Sequence, residues 1–542
     1  MEHKKVYFLQ FFLLYSFIAF AAFRLYNISI HPDTAWLAGC AKRFLSGISL
    51  LEGCYDTNPP LSILIYTPAV YLSQLSGIAL YYCIYITIFI FIALCVLSTH
   101  ILITKLSFLS LQERFIFLVT YTTFVIIVPL YDFTQRDHLI AVALVPFLLA
   151  QYTITKKIPT RGVIRHLSLA LGTLMILVKP HYGLLPVMVL IHRYYTQKRI
   201  SLDLDFMYLA LSCLTYAFVL YIYFPDFLTI VLPDVIHYYL PYKNESDVNK
   251  FLLPFILPSI MLCLAIVYKY KNEDDKRDFL LFFWLGTFTA MISYYVQAKG
   301  FYYQLIPTRT FFYITLFVLS YSILSLWTKT RIQKEILTYG LCSLIVAYPA
   351  HRLMTFTSSY ATHSFFQNAP LTKYIEKECG SPCSFFITYP HMSLNNQTIF
   401  YIDKTYASRF PAYWFYPVMQ YSLGIPKAET ETPQYQKRVN TDKERFTRYI
   451  IEDMKKYKPN IILLYKDPPE QRGMQFDFFD YFSGDANFRK LRDTYVKTGE
   501  FTTERSDYFH GTSMDYPYTL RWDVYKRVEN FAPEQQRNKN NE

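Results

Sequence analysis

Residues 31–61 read HPDTAWLAGCAKRFLSGISLLEGCYDTNPPL and follow a long apolar run, residues 6–26. The stretch carries two carboxylates, Asp33 and Asp56, beside a hydrophobic segment, where an unpaired charge is costly. A carboxylate so placed can take a proton from a hydroxyl or bind a divalent cation. Four further polar stretches interrupt apolar runs. They hold Asp132, Gln135, Arg136, Asp137 and His138; then Lys179 and His181; then Asp226, Asp234 and His237; then Lys299, Tyr302, Tyr303, Gln304 and Arg309. Arg136, Lys179 and Arg309 can hold a phosphate, arginine as a planar fork and lysine as a point charge. Trp36, Tyr302 and Tyr303 offer aromatic faces to a sugar or an isoprenoid. Each group taken singly fits simple solvation among headgroups. Their recurrence in five loops points instead to one cavity with an acid, cations and aromatic walls, which suits a donor that is a lipid phosphate carrying a sugar.

The elements that must position these residues are membrane spans. The chain is 53% hydrophobic and 19% aromatic, with 50 Tyr and 46 Phe. Several windows of about twenty residues are nearly free of charge, which is the transmembrane signature. Spans are expected over 6–26, 78–103, 115–130, 138–155, 207–224, 251–268, 279–296, 310–327 and 336–350, with a hairpin over 167–192. Residues 61–76 form a short interfacial helix or half a span. The total is about eleven spans. With the basic start MEHKK inside, as an uncleaved first span, the Lys/Arg-rich loops 105–114, 156–165, 193–199, 269–278 and 328–334 all fall on the cytoplasmic side. The loops 27–77, 131–137, 179–183, 225–250 and 297–307, and the chain after about 352, then fall outside.

Within the first outside loop, Trp36, Leu37, Phe44, Leu45, Ile48 and Leu50 set against Lys42 and Arg43 read as a short helix lying in the membrane interface, apolar face down. Asn58, Pro59 and Pro60 end it. The C-terminal third is charged and lacks a span. Residues 384–389 and 460–465 read as buried strands and 441–458 as an amphipathic helix, which together suggest a small α/β domain. Residues 531–542 read as a disordered tail. Of nine cysteines, Cys83, Cys95, Cys213, Cys263 and Cys342 lie in apolar runs and read as buried small hydrophobes. Cys379 and Cys383 form a disulfide or remain two free thiols; Cys40 and Cys54 are a second candidate pair. The net charge of +12 reads as loops facing anionic membrane lipids rather than as nucleic-acid binding.

HPDTAW, YDTNPPL, the QRDHL of 135–139, the KPHYG of 179–183 and the GFYYQLIP of 300–307 resemble the GT-C superfamily of polytopic membrane glycosyltransferases, which includes protein mannosyltransferases and the lipid A aminoarabinose transferase. The resemblance covers roughly residues 1–350 in layout. Hydropathy and strand periodicity together divide the chain into an all-α polytopic domain over 1–353, GT-C-like by the resemblance, and a non-cytoplasmic α/β domain over 354–530. The resemblance implies inverting transfer from a polyprenyl-phosphate sugar on the non-cytoplasmic face, to a glycan, lipid or protein acceptor; the short loops lean toward a bacterial inner membrane, with the C-terminal domain periplasmic. The family's catalytic acid maps onto Asp33, and Asp56 falls among accessory polar residues, as do Asp137, His138, His181, Lys299 and Gln304. Some relatives carry two adjacent acids in the first loop, where this chain has Asp33 followed by Thr34. Gln304 stands where a histidine is often found. No metal site is implied, although the acids allow a divalent cation.

Two other classes compete. A transporter or flippase of a lipid-linked sugar often shows inverted repeats and broken helices, and the sequence shows no repeat. A receptor or scaffold leaves Asp33 and the polar residues of five loops unexplained.

Overall fold

The computed structural model describes residues 2–198, 203–241, 243–359, 362–380, 382–389, 392–402, 404–412, 430–466, 477–504 and 519–528. The chain divides into two compact units, neither of them continuous. The first comprises Met1–Ile28, Pro59–Pro225 and Lys243–Ser358; the second comprises Ser29–Asn58, Asp226–Tyr242 and Ser359–Glu542. The hydropathy boundary at 353/354 falls close to the last division. Two loops that sequence places beside the membrane pack with the C-terminal residues.

In chain order the longer helices are α1 (Glu2–Leu25), α2 (Pro32–Leu45), α3 (Leu80–Ile103), α4 (Leu111–Ile126), α5 (Arg136–Thr155), α6 (Gly162–Val178), α7 (Leu184–Gln197), α8 (Leu204–Tyr223), α9 (Glu245–Lys269), α10 (Asp274–Gln297), α11 (Ile306–Leu324), α12 (Arg331–Ser359), α13 (Met392–Tyr401) and α14 (Pro433–Tyr457). Among the described residues six stretches are long and apolar enough to cross a bilayer: α3, α5, α8, α9, α10 and Tyr302–Trp327, which contains α11. α1 has 24 residues, whereas others of the expected spans fall short of the roughly 20 apolar residues that a crossing requires. α4 has 16 residues and α6 has 17, whereas α12 is long enough but carries Arg331, Lys334, Glu335 and Arg352.

The first unit is built around α5. Of its apolar window 94% is buried, against α3, α4, α6, α10 and α11. α8 is the opposite case: none of its window is buried, so Leu211, Leu214 and Phe218 are left to lipid. Cys213, expected to be buried, is therefore exposed, whereas Cys83 and Cys95 are buried. Ser110 and Glu113 start α4 by capping each other's backbone N–H. Glu113 also accepts from Ser322 at 2.6 Å and Lys276 at 3.1 Å, tying α4 to α11 and α10. Where α10 meets α11, a Cβ on Gly286 would stand 2.7 Å from the Phe311 ring, so only glycine allows the approach.

The second unit holds a mixed five-stranded sheet of β1 (Ser384–Thr388), β2 (Thr405–Tyr406), β3 (Ile461–Lys466), β4 (Tyr495–Glu504) and β5 (Thr519–Arg527), ordered β2-β1-β3-β5-β4. β1 runs parallel to β2 and β3, and β5 runs antiparallel to β3 and β4. The apolar face of α14, including Phe446, Ile450 and Met454, buries against Phe386 and Ile462 of the sheet. Val231 and Tyr238, from the loop at 226–242, join the same core. α2 packs on α13. Its apolar side is thus covered by protein within its own unit, which corrects the reading of a helix lying in the membrane interface. Cys40 and Cys54 form a disulfide, Cα atoms 5.5 Å apart, and Cys379 and Cys383 form another at 5.6 Å.

Candidate functional site

In the first unit the site grows from two breaks in helices. Gln135 caps α5, its side-chain oxygen accepting from Asp137 N at 2.6 Å. The first turn of α5 thereby carries Arg136, Asp137 and His138, all buried. Pro180 stops α6, and residues 179–183 form a tight turn before α7. That turn brings Lys179 to Asp137: Nζ stands 2.5 Å from Oδ2. Tyr182 donates to the other oxygen, Oδ1, at 3.0 Å. Arg136 precedes Asp137 in the same buried turn, so two cationic side chains meet in the surroundings of the Asp137 carboxylate. A third break, between α10 and α11, supplies the aromatic side. Lys179 Nζ lies 5.9 Å from the Tyr303 ring centre, and the Arg309 guanidinium stacks 3.5 Å from that of Tyr302. Gln304 Nε2 donates to Gln297 at 2.9 Å.

Two polar atoms at this site are buried with no hydrogen-bond partner: His181 Nε2 and the acceptor Gln304 Oε1. Burial first, then the neighbouring Lys179 cation, pushes His181 down to about 3, so the ring is neutral at physiological pH. Burial and the nearby Lys243 lower Lys299 to about 8. Gly300 makes the break possible. Its φ of +72° is left-handed, and a Cβ there would stand 2.6 Å from Asp247. His138 is engaged otherwise, Nε2 on Val125 O at 2.6 Å, as a structural anchor of α5.

Asp33, Trp36 and Asp56 belong to the second unit. Asp33 lies half-buried in the first turn of α2, its backbone N–H donating to His31 Nδ1 at 3.2 Å. The lead-in to α2 is held by α13: Ile30 N donates to Tyr401 OH at 2.8 Å, and Gln397 Nε2 donates to Ile30 O at 3.0 Å. Trp36 is only 4% exposed and packs edge-on to Tyr406. Its ring is a core ring rather than an open stacking face. Asp56 Oδ1 accepts from Asn58 N at 2.8 Å and Asn58 Nδ2 at 2.6 Å, which turns the chain ahead of Pro59.

Sequence reading missed three participants. Tyr182 lies inside the KPHYG stretch and could have been weighed there. Arg43, assigned to the polar face of a surface helix, donates at 2.6–2.7 Å to the carbonyls of Gly53, Ser408 and Tyr406. Asp234, noted only as a loop acid, accepts from Tyr55 and, at 2.6 Å, from Arg445, which also bonds Asp442. No local pattern announces partners two hundred residues away. Among the described residues no group of three or more His, Cys, Asp or Glu side chains is placed to hold a metal ion.

A mostly helical unit with, among the described residues, six helices long and apolar enough to cross a bilayer, joined in one chain to a small five-stranded unit, is the architecture of a multi-pass integral membrane protein. No family model and no curated protein matches the sequence. Among solved structures, ArnT from Cupriavidus metallidurans bound to undecaprenyl phosphate is similar at a TM-score of 0.50 and 12% identity, over 73% of this chain and 84% of that one. Its apo form is similar at 0.48 and 11%, with the same coverage. The arabinofuranosyltransferase AftD from Mycobacteria is similar at 0.46 and 8%, over 95% of this chain and 40% of AftD. At these identities the likeness to ArnT is one of fold.

Proposed function

We propose that the protein is a membrane glycosyltransferase that moves a sugar from a polyprenyl-phosphate donor to a glycan, lipid or protein acceptor on the non-cytoplasmic face of a bacterial inner membrane. The observation that carries the reading is the buried convergence of Arg136 and the Asp137-matched Lys179 with the unpartnered His181 Nε2. It gathers two cationic side chains and a neutral imidazole, the chemistry that holds a phosphate and a sugar hydroxyl. The shared fold with ArnT, solved with undecaprenyl phosphate, supports the donor class.

In this reading the acceptor oxygen attacks the anomeric carbon from the face opposite the phosphate. The C–O bond to phosphate breaks, and its electron pair leaves on the lipid phosphate, held by Arg136 and Lys179 with Arg309 in support. Asp33 takes the acceptor's proton, and the anomeric configuration inverts. Tyr302 and Tyr303 line the donor, and Gln304 Oε1 takes a hydrogen bond from it. No step needs a metal ion, although a divalent cation is compatible with the acids present.

The test is transfer from polyprenyl-phosphate sugars to a membrane extract by the purified protein. Wild type should transfer, Asp33→Asn should lose at least about a hundredfold as expected for a general base, and Arg136→Gln should raise the donor KM. Equal transfer by wild type and Asp33→Asn removes Asp33 as base. Absence of transfer across donors by a folded wild type overturns the reading.

A further inference from the structure

At the C-terminal end of α5, the opposite end of that helix from Arg136, a cavity of about 220 Å³ is lined in part by Thr155, Lys157, Arg165, Gln197 and Asp203. Its floor is rigidly bonded. Arg193, fully buried, donates from Nε to Thr155 Oγ1 at 2.6 Å and from Nη2 and Nη1 to Asp205 at 2.6 and 3.1 Å. Gln197 Nε2 donates to Thr155 O at 3.0 Å. With Arg193 set against Asp205, Lys157 and Arg165 outnumber Asp203, and the wall is net positive.

Three features of this wall call for an anion. Lys157 has φ +54° just past the end of α5, a left-handed position where glycine is ordinary and a lysine is held at backbone cost. A cation does suit the negative end of a helix, so Lys157 alone proves little. Arg165, however, lies in the first turn of α6, with Arg161 at its N-cap and no side-chain cap. Two cations there face the positive end of the helix dipole, an arrangement that is unfavourable unless an anion joins them. The Arg165 Nε is moreover buried without a hydrogen-bond partner.

We propose that this cavity binds the phosphate of an anionic membrane lipid. Its walls end helices of the membrane unit, amid the basic run Lys156, Lys157, Arg161 and Arg165, which is where headgroups lie. Its volume is below the roughly 300 Å³ at which pockets for larger soluble ligands begin. The occupant's phosphate accepts from the outer nitrogens of the Arg165 guanidinium and from the Lys157 ammonium, and its tails remain in the bilayer. The site is independent of the transfer reaction proposed above.

The experiment titrates the full-length protein in neutral detergent with phosphatidylglycerol, phosphatidylcholine or inorganic phosphate. It follows the thermal midpoint and the lipid retained in native mass spectrometry. Phosphatidylglycerol should raise the midpoint and remain bound, and Arg165→Gln and Lys157→Gly should each weaken it roughly fivefold. Lys157→Gly relieves the left-handed backbone, so its lipid-free midpoint should be no lower than that of wild type. An equal response to phosphatidylcholine, or unchanged affinity in both variants, overturns the site. An equal response to inorganic phosphate at the same concentration overturns the lipid as its occupant.

Discussion

Lys179 and Asp137, 42 residues apart, form a buried ion pair at 2.5 Å across the turn after α6 and the first turn of α5. Removing one partner strands the other charge, at a cost of about 3–5 kcal/mol, whereas removing both costs far less. Lys179→Met and Asp137→Asn should each lower unfolding stability in detergent by more than the double variant does. Additive losses would mean that the two side chains are not coupled.

Lys299, lowered to about 8 by burial and by Lys243, is charged at pH 7 and neutral by pH 9. The unfolded chain, with a lysine near 10.4, binds more protons between those values, so this group makes the fold more stable as pH rises from about 8 to 10. Donor binding that uses the ammonium runs the other way. Wild-type affinity should fall above pH 8, and Lys299→Arg should hold it through pH 9. A donor-binding profile at fixed ionic strength distinguishes the two, and an identical fall in the variant would remove Lys299 from donor binding.

The Cys40–Cys54 disulfide closes a short loop, with a sequence separation of 14, at the end of the helix that carries Asp33. A loop of that size contributes about 3 kcal/mol through the unfolded chain. Cys40→Ser with Cys54→Ser should lower the thermal midpoint, and a reducing agent should shift wild type by more than it shifts the variant, which keeps only Cys379–Cys383. The same midpoint for all samples would show that the link is dispensable.

Asp523, on β5, receives Lys497 at 2.7 Å and Lys466 at 2.9 Å from the strands on either side. Burial works against its ionised form, but these two cations win and hold the carboxyl below its usual range. Its stabilisation is therefore complete above about pH 4 and fades as pH falls through the lowered value. Screening by solvent limits the effect to about 0.5–1 kcal/mol. Asp523→Asn should lower stability at pH 7 and have little effect at pH 2.5; an equal loss at both would contradict the pairing.

Much of the first unit was legible because lipid demands long apolar helices, and interruptions such as KPHYG and GFYYQLIP stand out against them. Periodicity also found β1, β3 and most of α14, whose start at Pro433 lies earlier than expected because the Thr432 cap precedes a largely polar first turn. β4 escaped notice: as an edge strand, its middle residues face solvent and alternate in no pattern. β5 does alternate, burying Leu520, Trp522 and Val524, but charged neighbours mask it. The placement of Trp36 was misread for another reason. A one-sided apolar helix looks the same whether lipid or protein covers it, and only the distant α13 distinguishes the two.

The second unit draws on three separated parts of one chain, and this orders its assembly in time. The stretch with Asp33 emerges early during synthesis, yet Tyr401, which anchors Ile30, and Arg445, which anchors Asp234, come hundreds of residues later. The sheet that completes the core waits for β5 at Thr519–Arg527. A nascent chain must therefore keep an unfinished surface segment in reserve while every apolar helix inserts. Expression from residue 359 onward would yield a fragment lacking two of its own pieces, whereas a chain halted before β5 would leave the Asp33 helix without its finished support.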